Sequence, residues 1–218
     1  QGILIKFRQK LLHFYQQGLH YRHAGLVAGV VLGSKEGIDN DFWESLKKTG
    51  TLHVVVASGM NVSIVAKFLI SFLILIFPRR KAIPLAIVGI WSYGIMSGFD
   101  APIVRAAVMG TIAFTAQEIG KVYDAGRALI ISALLMILVK PEWIADLGFI
   151  LSFTATASML LLDESLRIFF KKVPAFLRSD LSASLSAQIG VAPILFASFG
   201  QFNILSPLYN IAVLWTIP

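Results

Sequence analysis

Residues 52–77, LHVVVASGMNVSIVAKFLISFLILIF, constrain this chain more than any other stretch. Their second part, 60–77, is apolar for long enough to cross a hydrocarbon core of ~30 Å. It runs straight into Pro78, Arg79, Arg80 and Lys81, a basic stop. That is the pattern of a membrane span. Their first part holds His53, Ser58, Gly59 and then Asn61, where a lipid-facing helix would carry Leu or Ile. A Ser-Gly pair followed by Asn is a natural point for helical hydrogen bonding to be interrupted. Backbone interrupted in this way is tolerated at membrane depth only against protein or a water-filled cavity. The sequence therefore predicts a broken or re-entrant helix near residues 52–60 that lines a pathway.

The rest of the chain agrees with a membrane setting. Of its 218 residues, 56% are hydrophobic and 14% charged, and the mean hydropathy is +0.76. A water-soluble domain of ordinary composition is excluded. The fold class expected is all-α, a polytopic transmembrane helical bundle. Residues 3–19 place Leu4, Phe7, Leu11, Phe14 and Tyr15 near one helical face, with Lys6, Arg8 and Lys10 largely elsewhere. This reads as an N-terminal amphipathic interfacial helix, or else as a helix packed on a neighbouring domain. A polar helix near 41–48 follows, with Asp39, Asn40 and Asp41 as candidate caps. Residues 1–50 are thus an interfacial and linker segment and 51–218 a transmembrane domain. The final run ILSPLYNIAVLWTIP is apolar to the last residue, and the domain is expected to be a piece of a longer parent.

Further spans are expected over residues 83–97, 102–119, 127–139, 143–162, 181–199 and from 204 onward. Their loops alternate in charge. Arg79, Arg80 and Lys81, then Lys121 and Arg127, then Arg167, Lys171, Lys172 and Arg178 fall on one side, while 98–101, 140–142 and 200–203 carry Lys140 as their only cation. The excess of cations in alternate loops puts His53 on the outer side. It also accounts for much of the net charge of +7, which would equally suit contact with nucleic acid or a membrane surface. Two small-residue stripes, Gly148, Ser152, Ala155 and Thr156, and Ala183, Ala187 and Gly190 with Gln188 beside them, read as helix-packing seams, or else as the lining of a conduit.

Charges inside spans need a reason, since each costs ~2.5 to 3.5 kcal/mol on insertion scales. Lys67 lies deep in its span; Arg105 lies a turn inside its helix, within reach of snorkelling outward. Ser58 in its Ser-Gly pair invites comparison with intramembrane serine proteases. A hydrolase needs a base, however, and all four histidines, His13, His20, His23 and His53, precede it. With no Cys and no clustered His or carboxylates in the bundle, no metal and no cofactor are expected. The residues alone leave a conduit, a small-solute or ion transporter built on broken helices and, less readily, an intramembrane hydrolase.

Four segments taken in order resemble the integral membrane region of the ComEC-type competence proteins. TGTLHVVVASGMNVS carries His53, Ser58, Gly59 and Asn61; SGFDAPIVRAAVMG carries Gly98, Pro102, Arg105 and Met109. GRALIISALLMILVKPEWIADLGFILSFTATASMLLL carries Gly126, Arg127, Ala128, Pro141, Gly148, Phe149, Leu151, Ser152 and Phe153. AQIGVAPILFASFGQFNILSPLYNI carries Gln188, Pro193, Phe199, Gly200, Pro207 and Asn210. The resemblance covers about residues 24–218 and departs at Asn61, where many members carry a second His. It implies a multi-pass channel in the bacterial cytoplasmic membrane that admits single-stranded DNA during natural transformation, together with other DNA-uptake proteins. On that reading His53, Ser58, Asn61, Lys67, Arg105 and Gln188 are candidate contacts along the DNA path, and Gly59 and Gly98 are points of hinge motion or close approach. Relatives often carry a metallo-hydrolase-like domain after this region. No such domain is visible here, so nuclease activity does not carry over.

Overall fold

A computed structural model of the chain describes residues 3–32, 43–44 and 59–199. Among these, every regular element is helical: α1 (Ile3–Gly18), α2 (Tyr21–Leu32), α3 (Gly59–Ile76), α4 (Arg79–Met96), α5 (Ala101–Glu118), α6 (Ala125–Val139), a 3-10 segment (Pro141–Ala145), α7 (Leu147–Phe169) and α8 (Ala175–Phe199). The protein is an all-α, polytopic transmembrane helical bundle. Helices α3, α7 and Leu177–Ser198 within α8 are long and apolar enough to cross a membrane. Helix α6 is equally apolar but has 15 residues, about 22 Å of rise. The stretch 52–58, where a helix break is expected, lies outside the described residues, as do the expected caps Asp39, Asn40 and Asp41 and the span from 204 onward. Helix α3 begins at Gly59, at the end of that stretch.

The chain forms two compact units. In the first, which holds α1 to α6, α3, α4 and α5 pack mutually, α6 lies on α5, and α1 lies on α2 and α4. The core is built from Val62 of α3, Ile90 of α4 and Ile103 and Ala107 of α5. Gly89 brings α4 close to α3, since a Cβ there would sit 2.6 Å from Leu69 Cδ1. The α1 face turned to its neighbours includes Leu11, Leu12 and Tyr15, whereas Phe14, expected on that face, is exposed. Large apolar side chains are exposed along the spans, among them Phe68, Phe72 and Leu75 of α3 and Leu138 and Val139 of α6. Such a surface is stable against lipid tails or further protein rather than water.

Turn chemistry sets the helix ends. Helix α4 closes with Phe99 N–H donating to Gly94 O across Gly98, and α5 closes with Lys121 N–H donating to Ala116 O across Gly120. Both glycines are left-handed, at φ +93° and +69°, the conformation that ends helices with this bonding. Asp124 Oδ1 accepts from Arg127 N–H at 2.9 Å to start α6, and Asp146 Oδ1 accepts from Phe149 N–H at 2.7 Å to start α7.

One polar link ties α4 to α5. Trp91 Nε1 donates to Thr111 Oγ1 at 3.1 Å, and that hydroxyl donates in turn to Ala107 O at 2.8 Å. Interhelical bonds of this kind contribute about 0.6 kcal/mol in membranes. Thr111→Val keeps the shape and removes the acceptor. We expect it to lower stability by about that amount in an SDS unfolding titration, and Trp91→Phe, which also gives up ring packing on the core, to cost less in the Thr111→Val background than in the wild type. Additive losses from the two changes would mean that the bond does not form.

The second unit contains α7 and α8, which pack on one another. Their seam differs from the expected stripes. Ser182 and Ser186, not Ala183 and Ala187, are fully buried, while Gly190 faces Thr154 and Ser158. Serine suits such a seam because its hydroxyl turns back on its own helix: Ser186 Oγ donates to Ser182 O at 2.7 Å. The group then packs with little more bulk than alanine. Asp163 Oδ1 accepts from Ser182 Oγ at 2.6 Å, and Arg167 joins Asp163 at 3.2 Å and Ser179 Oγ at 3.0 Å.

Candidate functional site

The start of α3 and the second turn of α5 meet at a polar junction in the first unit. Gly59, the first residue of α3, makes the approach close. A Cβ at this position would meet Arg105 Nη2 at 2.9 Å, Ala106 Cβ at 3.4 Å and Pro102 O at 3.7 Å. Gly59 and Arg105 are 46 positions apart in sequence, and the packing of α3 on α5 brings them together. Two residues on from Gly59, Asn61 is 6% exposed, immediately before Val62, which enters the core. A buried amide in a span is retained at the cost of its desolvation.

Arg105 does not snorkel toward the near end of its helix. Its Nη1 donates to Met109 Sδ at 3.6 Å, so the guanidinium leans one turn further along α5. Its charge is felt as far as Tyr123, in the segment between α5 and α6. Burial pushes the Tyr123 phenol above its ordinary range, while Arg105 acts to lower it and Asp124 to raise it. A guanidinium held in this way is a planar, permanently charged fork suited to phosphate or carboxylate oxygens.

The other expected site residues are dispersed. Lys67 is exposed on α3, on the side away from Val62 and Leu69. Gly98 has open space where a Cβ would go and φ +93°, so its role is the helix-ending turn rather than close approach. Gln188 is half-buried in α8, in the second unit. His53 and Ser58 lie outside the described residues. The sequence reading did not single out the Asp163, Arg167, Ser179 and Ser182 network. Its signal was an acid and a base four apart at the end of an apolar run.

The arrangement is thus a membrane bundle with a fixed cation beside a glycine at the start of a span. Comparison with known proteins gives it a family: the model of a family described as "Competence protein" matches residues 30–217. The chain belongs to the competence protein family. Within this family, ComE operon protein 3 of Bacillus subtilis (strain 168) is 26% identical over 208 residues, covering 95% of this chain and 26% of that protein. The chain therefore spans about a quarter of the length of this curated relative. No solved structure matches it. Both sides of the polar junction, Gly59 with Asn61 and Pro102 with Arg105, fall inside the matched region.

Proposed function

We propose that this competence-family chain is part of a conduit, multi-pass in a bacterial cytoplasmic membrane, that passes single-stranded DNA inward during natural transformation. The observation that carries this reading is the Arg105 guanidinium, held inside the helix bundle against the first residue of α3 in a chain matched by the competence family over residues 30–217. A lipid-facing helix has no use for that charge, whereas a hydrated polyanion has. A strand in transit needs sparse cations. Each phosphate neutralised adds to affinity and contributes ~0.7 to the log-log salt slope for single strands, so a dense basic groove would hold the strand instead of passing it. Arg105 and Lys67, single cations on α5 and α3 of the first unit, fit that requirement. On this reading the chain is a passage, does no covalent chemistry on the strand, and works with uptake proteins that capture and pull the DNA.

The test is uptake of labelled DNA by cells carrying the full-length parent or its deletion, with surface-bound and internalised label separated by nuclease treatment. The expected result is loss of the internalised fraction with the surface-bound fraction kept. Internalisation unchanged by the deletion would overturn the reading in favour of a small-solute transporter.

A further inference from the structure

The exposed side of α3 is not uniform. Helical spacing places Ser63, Lys67 and Ser71 in one row at i, i+4 and i+8, and all three are exposed. Beside them run Ile64, Phe68, Phe72 and Leu75, also exposed, with Phe68 and Phe72 stacked at 6.2 Å between ring centroids. The third side, Val62, Ala66 and Leu69, is taken up by α4 and α5. One helix thus presents a packed side, an apolar side and a polar side. Lipid suits the apolar side, and it does not suit an ammonium in mid-span flanked by two hydroxyls.

We propose that the Ser63, Lys67 and Ser71 row faces water inside the conduit and that Lys67 is the mid-membrane contact for the phosphates of the passing strand. This assignment rests on the conduit reading above. Charge complementarity supports it: α3 contains no Asp or Glu, and Lys67 is its single charge. Ser63 Oγ donates back to Gly59 O at 3.1 Å, which leaves its lone pairs turned outward for water. The serines keep the row wet; the ammonium supplies three donors and the charge. Position along the helix strengthens the case. Lys67 lies eight residues after Gly59, where Arg105 sits, and nine before Ile76, where α3 ends. At 1.5 Å per residue these are intervals of about 12 and 14 Å. Phosphates would meet one cation near the start of α3, one in its middle and, past its end, the basic cluster Arg79, Arg80 and Lys81 in the first turn of α4. The buried Asn61 and the exposed Lys67 belong to different sides of α3, so the row does not pass through Asn61.

Two measurements on the full-length protein in native membranes decide the matter. This segment has no cysteine, so single cysteines can be read within it by mass spectrometry after treatment with a membrane-impermeant charged thiol reagent. Cysteines at 63, 67 and 71 should react at least tenfold faster than those at 64, 68 and 75; equal rates in both rows would overturn the water-facing row. In the uptake assay Lys67→Leu should lower internalised label at least tenfold with normal protein in the membrane, and Lys67→Arg should restore most of it. If the deletion abolishes internalisation while Lys67→Leu leaves it intact, the phosphate contact is wrong and the conduit stands. If the deletion has no effect, the conduit reading fails and the phosphate contact falls with it.

Discussion

Arg105→Leu should reduce internalised DNA at least tenfold while leaving the protein as abundant in the membrane as the wild type, or more so. The two halves of that expectation have opposite signs for a physical reason. A guanidinium within a span costs ~2.5 to 3.5 kcal/mol on insertion scales, and leucine removes the charge while still offering apolar contact to Ala106 and Met109. A residue kept for stability would lower protein level on replacement; one kept for transport would lower uptake alone. Arg105→Lys tests the fork, because lysine keeps the charge and loses the paired donors, and it should fall between wild type and leucine. Gly59→Ala reaches the same group from the other helix. The new Cβ would lie 2.9 Å from Nη2, and the guanidinium, as the end of a flexible side chain, would be pushed aside. A partial loss of uptake is expected. Full uptake in Arg105→Leu cells would remove Arg105 from the path.

Much of the bundle was legible because long apolar helices follow simple rules. Expected spans at 60–77, 102–119 and 127–139 coincide in extent with helices α3, α5 and α6, since basic stops and Gly-containing turns mark their ends; of these three, α3 has the length and apolar character to cross a membrane. Helix α7 was placed less well at both ends. Pro141 directs residues 141–145 into a 3-10 segment before Asp146 caps the helix, so it starts at Leu147 rather than 143. Asp163, Glu164 and Arg167 suggested an end at 162, yet the helix runs through them to Phe169 because Asp163 is taken up by Ser182 and Arg167. Residue type also marked Gly59 and Arg105 as unusual for a span. Their meeting was not legible, because it depends on how α3 packs on α5, and no local pattern encodes that angle. Likewise the period of α3 puts Ser63, Lys67 and Ser71 in one row, but only the positions of α4 and α5 decide that neither of them covers this row.

The α7 and α8 seam yields the largest expected effect on folding. In lipid, apolar surface gains nothing by leaving its surroundings for another helix, so association depends on close packing and polar links. At Gly190 the packing leaves no room: an added Cβ would overlap Ser158 Oγ, lie 2.6 Å from Ser158 Cβ and sit 3.3 Å from the backbone oxygen of Thr154. Ser158 is too short to swing away and the carbonyl belongs to the helix itself, so the helices must part. Parting them also stretches the Ser182 to Asp163 bond of 2.6 Å near the other end of the seam. Gly190→Leu should therefore destabilise the pair by about 3 kcal/mol, the upper part of the usual overpacking range. This would appear as a lower SDS midpoint and faster proteolysis between α7 and α8. Ser186→Leu, at a fully buried position, should behave similarly, and Ala187→Leu, half-buried, should cost less. The decisive comparison is Gly190→Ala alone against Gly190→Ala with Ser158→Gly. Removing the Ser158 side chain clears the two shortest contacts, so the double variant should recover most of the loss even though glycine at position 158 of α7 costs up to about 1 kcal/mol relative to alanine. If the double variant is no more stable than Gly190→Ala, Gly190 does not pack against Ser158, and the seam runs along the alanines instead.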